Sequence, residues 1–346
     1  MSTFPASSEQ EAREALLAFG VEDARLEPLS AGYVSSLWQV HSAHWGHLVL
    51  KRFHDKFSKA QVLAACRAQE TVAQAVGISP RVLRARDGSP CVWTDRGHFG
   101  LFPFITGWHL EPPYQESWPE ALALLLARVH EALATLPADP SSPGFMAFTA
   151  TTPAAVEEAL SRVRSAEVRD EEKIGWLERK LKLLSEVPQA QVVAFRRLGR
   201  QWIHGDVHPG NLLASDDLPG GLVLLDYDQA SVFPWVYEVL RAFLQFALPE
   251  SSAPRLQHLL ERYVRAYARE RPGCSAELET MVELYFWAYT AETRTFTDDE
   301  QQVRGVREFA RKRMHLSEWL HTARPMLQRA VEEGLARGTG TGEKTG

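Results

Sequence analysis

Apolar positions along the 346-residue chain change their period more than once. From residues 10 to 20 they recur at helical spacing and stop at Gly20. Between Leu26 and Phe53, short apolar runs separated by Gly32 and Gly46 predict strands in a meander. Ser58 suits the cap of a helix running to about Val76, with Gly77 at its C-terminal end. Strand-like pieces around Val82 and Val92 precede the apolar run Phe99–Ile105. Pro112 and Pro113 begin a loop, and Pro119 opens a strongly apolar helix to about Leu133. A break rich in Pro, Ser and Gly at 137–144 is followed by two charged helices, over 153–166 and 170–186. Residues 200–229 return to short apolar strands and turns, and the pattern is helical from 234 to about 333. These elements predict an α+β chain, a smaller β-rich part followed by a larger helical one. The closing GTGTGEKTG is low-complexity and predicts disorder.

Length suits two lobes or domains better than one. A formal charge of −6 offers no general attraction to nucleic acid or to an anionic membrane. The longest apolar stretch, Ala121 to Ala127, is too short to span a bilayer, and no signal-peptide pattern opens the chain. Cys66, Cys91 and Cys274 are odd in number and lack metal spacing, which fits a reducing compartment, so a cytoplasmic protein without nucleic-acid or membrane partners is expected. Arginine outnumbers lysine thirty to eight and the single asparagine is Asn211, so the positions that keep Lys or Asn carry more information.

The densest chemistry lies in HGDVHPGN at 204–211 and LLDYD at 224–228. Asp206 and Asn211 bracket four residues, the spacing of a phosphoryl-transfer catalytic loop. In such a loop one carboxylate orients an acceptor hydroxyl and takes its proton. A neutral amide carbonyl nearby ligates a hard cation without charge repulsion, and a second carboxylate on a separate strand end completes the metal site. Asp206, Asn211 and Asp226 stand in those places. Asp228, two residues on, falls on the other side of an extended segment, where metal, acceptor or solvent are its alternatives. A different reading of the loop is a metal site built from His204, Asp206 and His208, although no further cluster completes it.

These motifs resemble the signature of the aminoglycoside phosphotransferase and choline kinase superfamily, which includes homoserine-kinase-like and stress-response kinases. The resemblance implies a bilobal protein-kinase-like fold with ATP between the lobes and Mg2+ at Asn211 and Asp226. It implies an N-terminal ATP-binding lobe over 1–103, a C-terminal catalytic and acceptor-binding lobe over 104–336, and a tail from 337. On this pattern Lys51, at the end of the strand HLVLKRFH, meets the nucleotide phosphates and pairs with Glu70 of the following helix. Lys51 read alone could instead guard the edge of a sheet. Gly32 takes the place of a glycine-rich cover. In FGLFPFITG the carbonyl of Pro103 and the N–H of Ile105 become the adenine contacts, a role that proline permits because only its carbonyl is needed.

In the larger lobe, Arg128 and His130 are expected to be structural, and Glu238 occupies a slot where the family usually has an aspartate bracing the catalytic loop. His208 is expected to shape that loop. Tyr285, Phe286, Trp287 and Tyr289, with Asp298, Asp299 and Glu300, form either an aromatic and acidic cleft for a cationic acceptor or a core helix with a solvated turn. The function implied is ATP- and Mg-dependent transfer of a phosphoryl group to a hydroxyl of a small molecule: an amino alcohol, a sugar or an aminoglycoside-like compound. A stress-response-type protein Ser/Thr kinase and a catalytically silent binding module are the alternatives.

Overall fold

A computed structural model describes residues 6–31, 36–95, 97–144, 147, 151–167, 169–216, 221–248, 252–297 and 305–338. Gly32, the acidic residues 298–300 and the tail beyond Gly338 lie outside the described residues, whereas Arg337 and Gly338, which the family pattern gave to the tail, end the last helix. The chain divides into two compact units. Unit 1 is Met1–Tyr114, Arg128–Pro137 and Trp202–Ser231, and unit 2 is the remainder. The division therefore groups the 202–231 segment with the first hundred residues, whereas the family pattern assigned it to a lobe beginning at 104.

Unit 1 begins with helix α1 (Ala6–Phe19), which Gly20 ends at φ +85. Strands β1 (Ala24–Ala31), β2 (Ser36–Ser42) and β3 (Gly46–Phe53) follow. Next comes helix α2 (Lys59–Ala75), and then β4 (Val92–Thr94) and β5 (Gly97–Pro103). All five strands pair antiparallel in the order β1-β2-β3-β5-β4. The two faces of the sheet are filled differently. Trp38, Val40, Leu48, Leu50, Phe99 and Leu101 pack with Ala12, Ala15, Leu16 and Phe19 of α1. The opposite face buries Phe53 and Phe102 with Val62 and Cys66 of α2. Alternation along β3 sends Leu48 and Leu50 to the first face and Lys51 to neither edge, because β3 lies between β2 and β5. The edge-guard reading of Lys51 is thereby overturned.

Ser58 caps α2 with a reciprocal capping box to Gln61, and Gly77 follows the helix at φ +73. The expected strand near Val82 amounts to one bridge, Leu83 to Leu101. Helix α3 (Trp118–Leu133) starts within one residue of the predicted site. A second sheet in unit 1 comprises β6 (Trp108–His109), β8 (Leu212–Ala214) and β9 (Leu222–Leu224), and a short β7 (Gln201–Ile203) leads into the candidate loop. Gly107 is required where β6 meets β8, since a Cβ there would stand 2.4 Å from the Ala214 carbonyl oxygen.

Unit 2 is helical. The charged pair α4 (Pro153–Ser165) and α5 (Glu171–Ser185) matches the predicted ranges to within about a residue. After α6 (Gln189–Arg196) come α7 (Trp235–Ala247), α8 (Ala253–Glu270), α9 (Ser275–Leu278), α10 (Met281–Ala291), α11 (Arg294–Thr297) and the long α12 (Val306–Gly338). Gly334 of α12 sits against α8, where a Cβ would approach the Glu261 carbonyl to 2.7 Å. Among the described residues no helix is long and apolar enough to cross a membrane.

One charge in unit 2 lies deep in this packing. Lys180 of α5 is fully buried, and its Nζ donates to the carbonyls of Thr290 and Glu292, both at 2.7 Å, with the Phe296 ring 4.2 Å away. Burial pulls this ammonium down to about 7, with Arg313 adding to the effect and Glu292 opposing it. The unfolded chain therefore holds the proton over a range, from about 7 up to the usual lysine value, in which the folded protein has released it. Stability is expected to rise with pH across that window. Urea unfolding at about pH 6 and about pH 9 should show the rise in wild type and lose most of it in Lys180→Met. An equal slope in both proteins rejects the assignment.

Candidate active site

The loop that carries Asp206 is built on a histidine with fixed hydrogen bonds. His204 is fully buried; its Nδ1 accepts from the Asp206 N–H at 3.2 Å and its Nε2 meets the Leu225 carbonyl at 2.9 Å. That pair of bonds requires the neutral tautomer with its proton on Nε2. Gly205 adopts φ +84, and a Cβ on it would stand 2.2 Å from the Gln229 carbonyl oxygen. His208 turns inward on its own loop, its Nδ1 accepting from the Gly210 N–H at 3.1 Å and its Nε2 3.6 Å from the Asp206 carboxylate. With His204 committed in this way, the three-residue metal site of His204, Asp206 and His208 is not formed. Among the described residues no group of three or more His, Cys, Asp or Glu side chains is placed to hold a metal ion.

Asn211 closes a single turn, Pro209–Asn211, and its side-chain amide donates to the Asp206 carbonyl at 2.9 Å. The amide oxygen is the atom left for a hard cation. The Leu225 N–H donates to the Asn211 carbonyl at 2.9 Å, and Leu212 pairs with Leu224, so the hairpin register sets Asn211 beside the residue before Asp226. Asp226 is the one non-glycine among the described residues with positive φ, at +63. Such strain on a carboxylate-bearing residue is characteristic of functional turns.

Lys51 reaches this turn. Its Nζ lies 2.8 Å from Asp226 Oδ1 and 2.6 Å from Asp228 Oδ1. Burial works to lower the Lys51 pKa, yet the two carboxylates overcome it and hold the ammonium above its usual value. Burial likewise works to raise Asp226, and Lys51 reverses this to hold the carboxyl below its usual range. The expectation that Asp228 faces away from Asp226 fails: side chains two residues apart on an extended segment share a face, and both carboxylates here turn to the lysine. Glu70 does not pair with Lys51. It forms an ion pair with Arg84, while its neighbour Gln69 is buried and donates to the Pro80 carbonyl at 2.9 Å. Gln69 and Glu70 are about 100° apart around the helix, so the buried amide turns the carboxylate outward. Cys66 of α2 is buried, and the Lys51 and Asp228 charges act on its thiol in opposite directions.

Pro103 ends β5, and Ile105 follows two residues beyond the strand. The Phe104 N–H donates to the His47 carbonyl at 3.0 Å, and Leu48 is opposite Pro103. In an antiparallel ladder this makes Pro103 a non-hydrogen-bonded position. Its carbonyl points away from β3.

In unit 2, Tyr285, Phe286 and Trp287 are buried, which makes them core. Tyr289 is partly exposed, but the Arg313 guanidinium already lies 4.3 Å from its ring centre. The aromatic half of a cationic-acceptor cleft therefore does not form. Glu238 is fully buried in the first turn of α7, and His130 is fully buried too, whereas Arg128 is exposed.

A sequence model of the phosphotransferase enzyme family matches residues 25–276. The chain belongs to that family. Its wider group is the aminoglycoside phosphotransferase and choline kinase superfamily, and its fold is protein-kinase-like. This phosphotransferase is similar in structure to a microcompartment-associated aminopropanol kinase, with a TM-score of 0.63 and 19% identity over 92% of this chain and 99% of that one. It also resembles a choline kinase from Cryptosporidium parvum Iowa II (TM-score 0.59, 12% identity, 90% and 92% coverage). A spectinomycin phosphotransferase, solved with ADP and spectinomycin, gives a TM-score of 0.60 at 11% identity, with 92% and 98% coverage. No curated protein matches the phosphotransferase by sequence.

The Gly205 geometry yields a test of this loop. Gly205→Ala adds a Cβ where both φ and the Gln229 carbonyl exclude it, so a loss of more than about 1 kcal/mol of stability is expected in denaturant unfolding. A variant as stable as wild type would show that the loop is not held in this conformation.

Proposed function

We propose that this phosphotransferase moves the γ-phosphoryl group of ATP, with Mg2+, to a hydroxyl of a small-molecule acceptor. The observation that carries the reading is the convergence, within unit 1, of Lys51 on the turn holding Asp226, directly beside the loop of Asp206 and Asn211.

The donor set fits a hard cation. The Asn211 amide oxygen and the solvent-facing side of the Asp226 carboxylate, whose side chain is 42% exposed, are oxygen ligands suited to magnesium. Bound there, the ion supplies charge neutralisation at the phosphates. Lys51 offers its ammonium to the phosphates, and the Pro103 carbonyl and Ile105 N–H offer the base an acceptor and a donor. Asp206, about one-third exposed, orients the acceptor hydroxyl and takes its proton. The acceptor oxygen forms a bond to the γ-phosphorus as the bond from that phosphorus to the β–γ bridging oxygen breaks. The products are ADP and a phosphomonoester, with the proton on Asp206. Amino alcohols, sugars and aminoglycoside-like compounds are the acceptor classes to try, as the aminopropanol, choline and spectinomycin enzymes among the structural relatives suggest.

ADP release from Mg-ATP, measured across these acceptors and a generic protein substrate, tests the reading. One acceptor class is expected to raise turnover in wild type, and Asp206→Ala is expected to lower that turnover by at least roughly a hundredfold. Acceptor-stimulated turnover that survives in Asp206→Ala overturns the role of the carboxylate. Stimulation by the protein substrate alone would favour a protein kinase.

Asp226→Asn keeps the shape of the turn and removes the charge. The Mg2+ concentration for half-maximal turnover should rise roughly tenfold or more. An unchanged requirement removes Asp226 from the metal site.

A further inference from the structure

We propose that Asp228, rather than a carboxylate of α2, is the positioning residue that holds Lys51 in place for the nucleotide phosphates. The inference rests on the proposed function, and it assigns a residue that the family pattern leaves open.

The two carboxylates on Lys51 differ in one decisive respect. The Asp228 side chain is 6% exposed and that of Asp226 is 42% exposed. A hydrated divalent cation can approach Asp226, whereas Asp228 has almost no open surface and its near oxygen is 2.6 Å from the ammonium. When a cation draws on the charge of Asp226, a buried lysine still needs a counter-charge. Asp228 supplies one without competing for the ion.

The α2 helix supplies no carboxylate in its place. Gln69 is spent on the Pro80 carbonyl, Glu70 on Arg84, and Cys66 is a thiol. Asp228 is instead set by the turn around it. Tyr227 is buried with its hydroxyl 2.6 Å from that of Ser79, its ring stands 4.4 Å from His204, and the Leu224 N–H donates to the Ile78 carbonyl at 2.8 Å. Those bonds fix the 224–228 segment on the chain that leaves α2. Asp228 thus reaches the lysine from a rigid base, as a lysine's orienting partner must.

Metal-free ADP binding separates positioning from metal ligation. Calorimetric titration of ADP in the presence of a chelator should give a Kd raised roughly tenfold in Asp228→Asn. Glu70→Gln should stay within about twofold of wild type. Loss of a negative charge by itself would tighten ADP, so weakening is specific to misplacement of Lys51. Unchanged or tighter binding in Asp228→Asn overturns the inference, as does equal weakening in Glu70→Gln. Should the Asn variant not fold, Asp228→Glu keeps the charge and shifts its oxygens. It is expected to weaken metal-free ADP while leaving the half-saturating Mg2+ concentration of turnover unchanged, and ADP binding equal to wild type in that variant likewise rejects the proposal. If wild type binds no ADP, the proposed function falls and this inference falls with it.

Discussion

An ammonium inside a protein needs a counter-charge, because dehydration of an unpaired cation costs several kcal/mol. Lys51 sits on an inner strand of a five-stranded sheet with little of its side chain in solvent. Much of the local structure follows from that burial. Two carboxylates, two residues apart, reach the same nitrogen. Asp226 takes a left-handed backbone. The turn is then held from below by His204 on the Leu225 carbonyl and from the side by Tyr227 on Ser79. Gly205 lets the preceding loop pass against Gln229. Remove the buried charge and this arrangement has no electrostatic reason to exist.

Most elements were legible because their ends are marked by residues with a single local preference. Gly20, Ser58, Gly77 and Pro119 fall at the observed boundaries to within a residue or so. The spacing of Asp206, Asn211 and Asp226 could likewise be read, since it reflects a hairpin whose register the short apolar strands determine. The segment near Val82 misled because apolar residues that fill the α2 side of the sheet look the same whether or not they pair with a strand. Glu70 misled for a rotational reason: a wheel places a border residue only coarsely, and Gln69 took the inward direction. Asp228 was obscured because the alternation was misapplied: residues two apart on an extended segment share a face.

The acceptor side was the least legible, and composition explains why. A run such as Tyr285 to Tyr289 carries the same letters whether it fills a core or lines a cleft. Burial separates the two cases: three of its aromatic residues are interior, and the partly exposed Tyr289 already faces an arginine.

The left-handed backbone at Asp226 also bears on which sequences this turn can tolerate over time. Asparagine and glycine accept that conformation readily, whereas β-branched residues do not. Loss of the charge without loss of the shape therefore has a narrow route, through Asn or Gly. A descendant of this chain that kept the fold but abandoned the chemistry is expected to carry one of them there. A descendant with Val or Ile at that position and an intact nucleotide site would contradict this. The backbone thus filters the substitutions open to the site before catalysis selects among them.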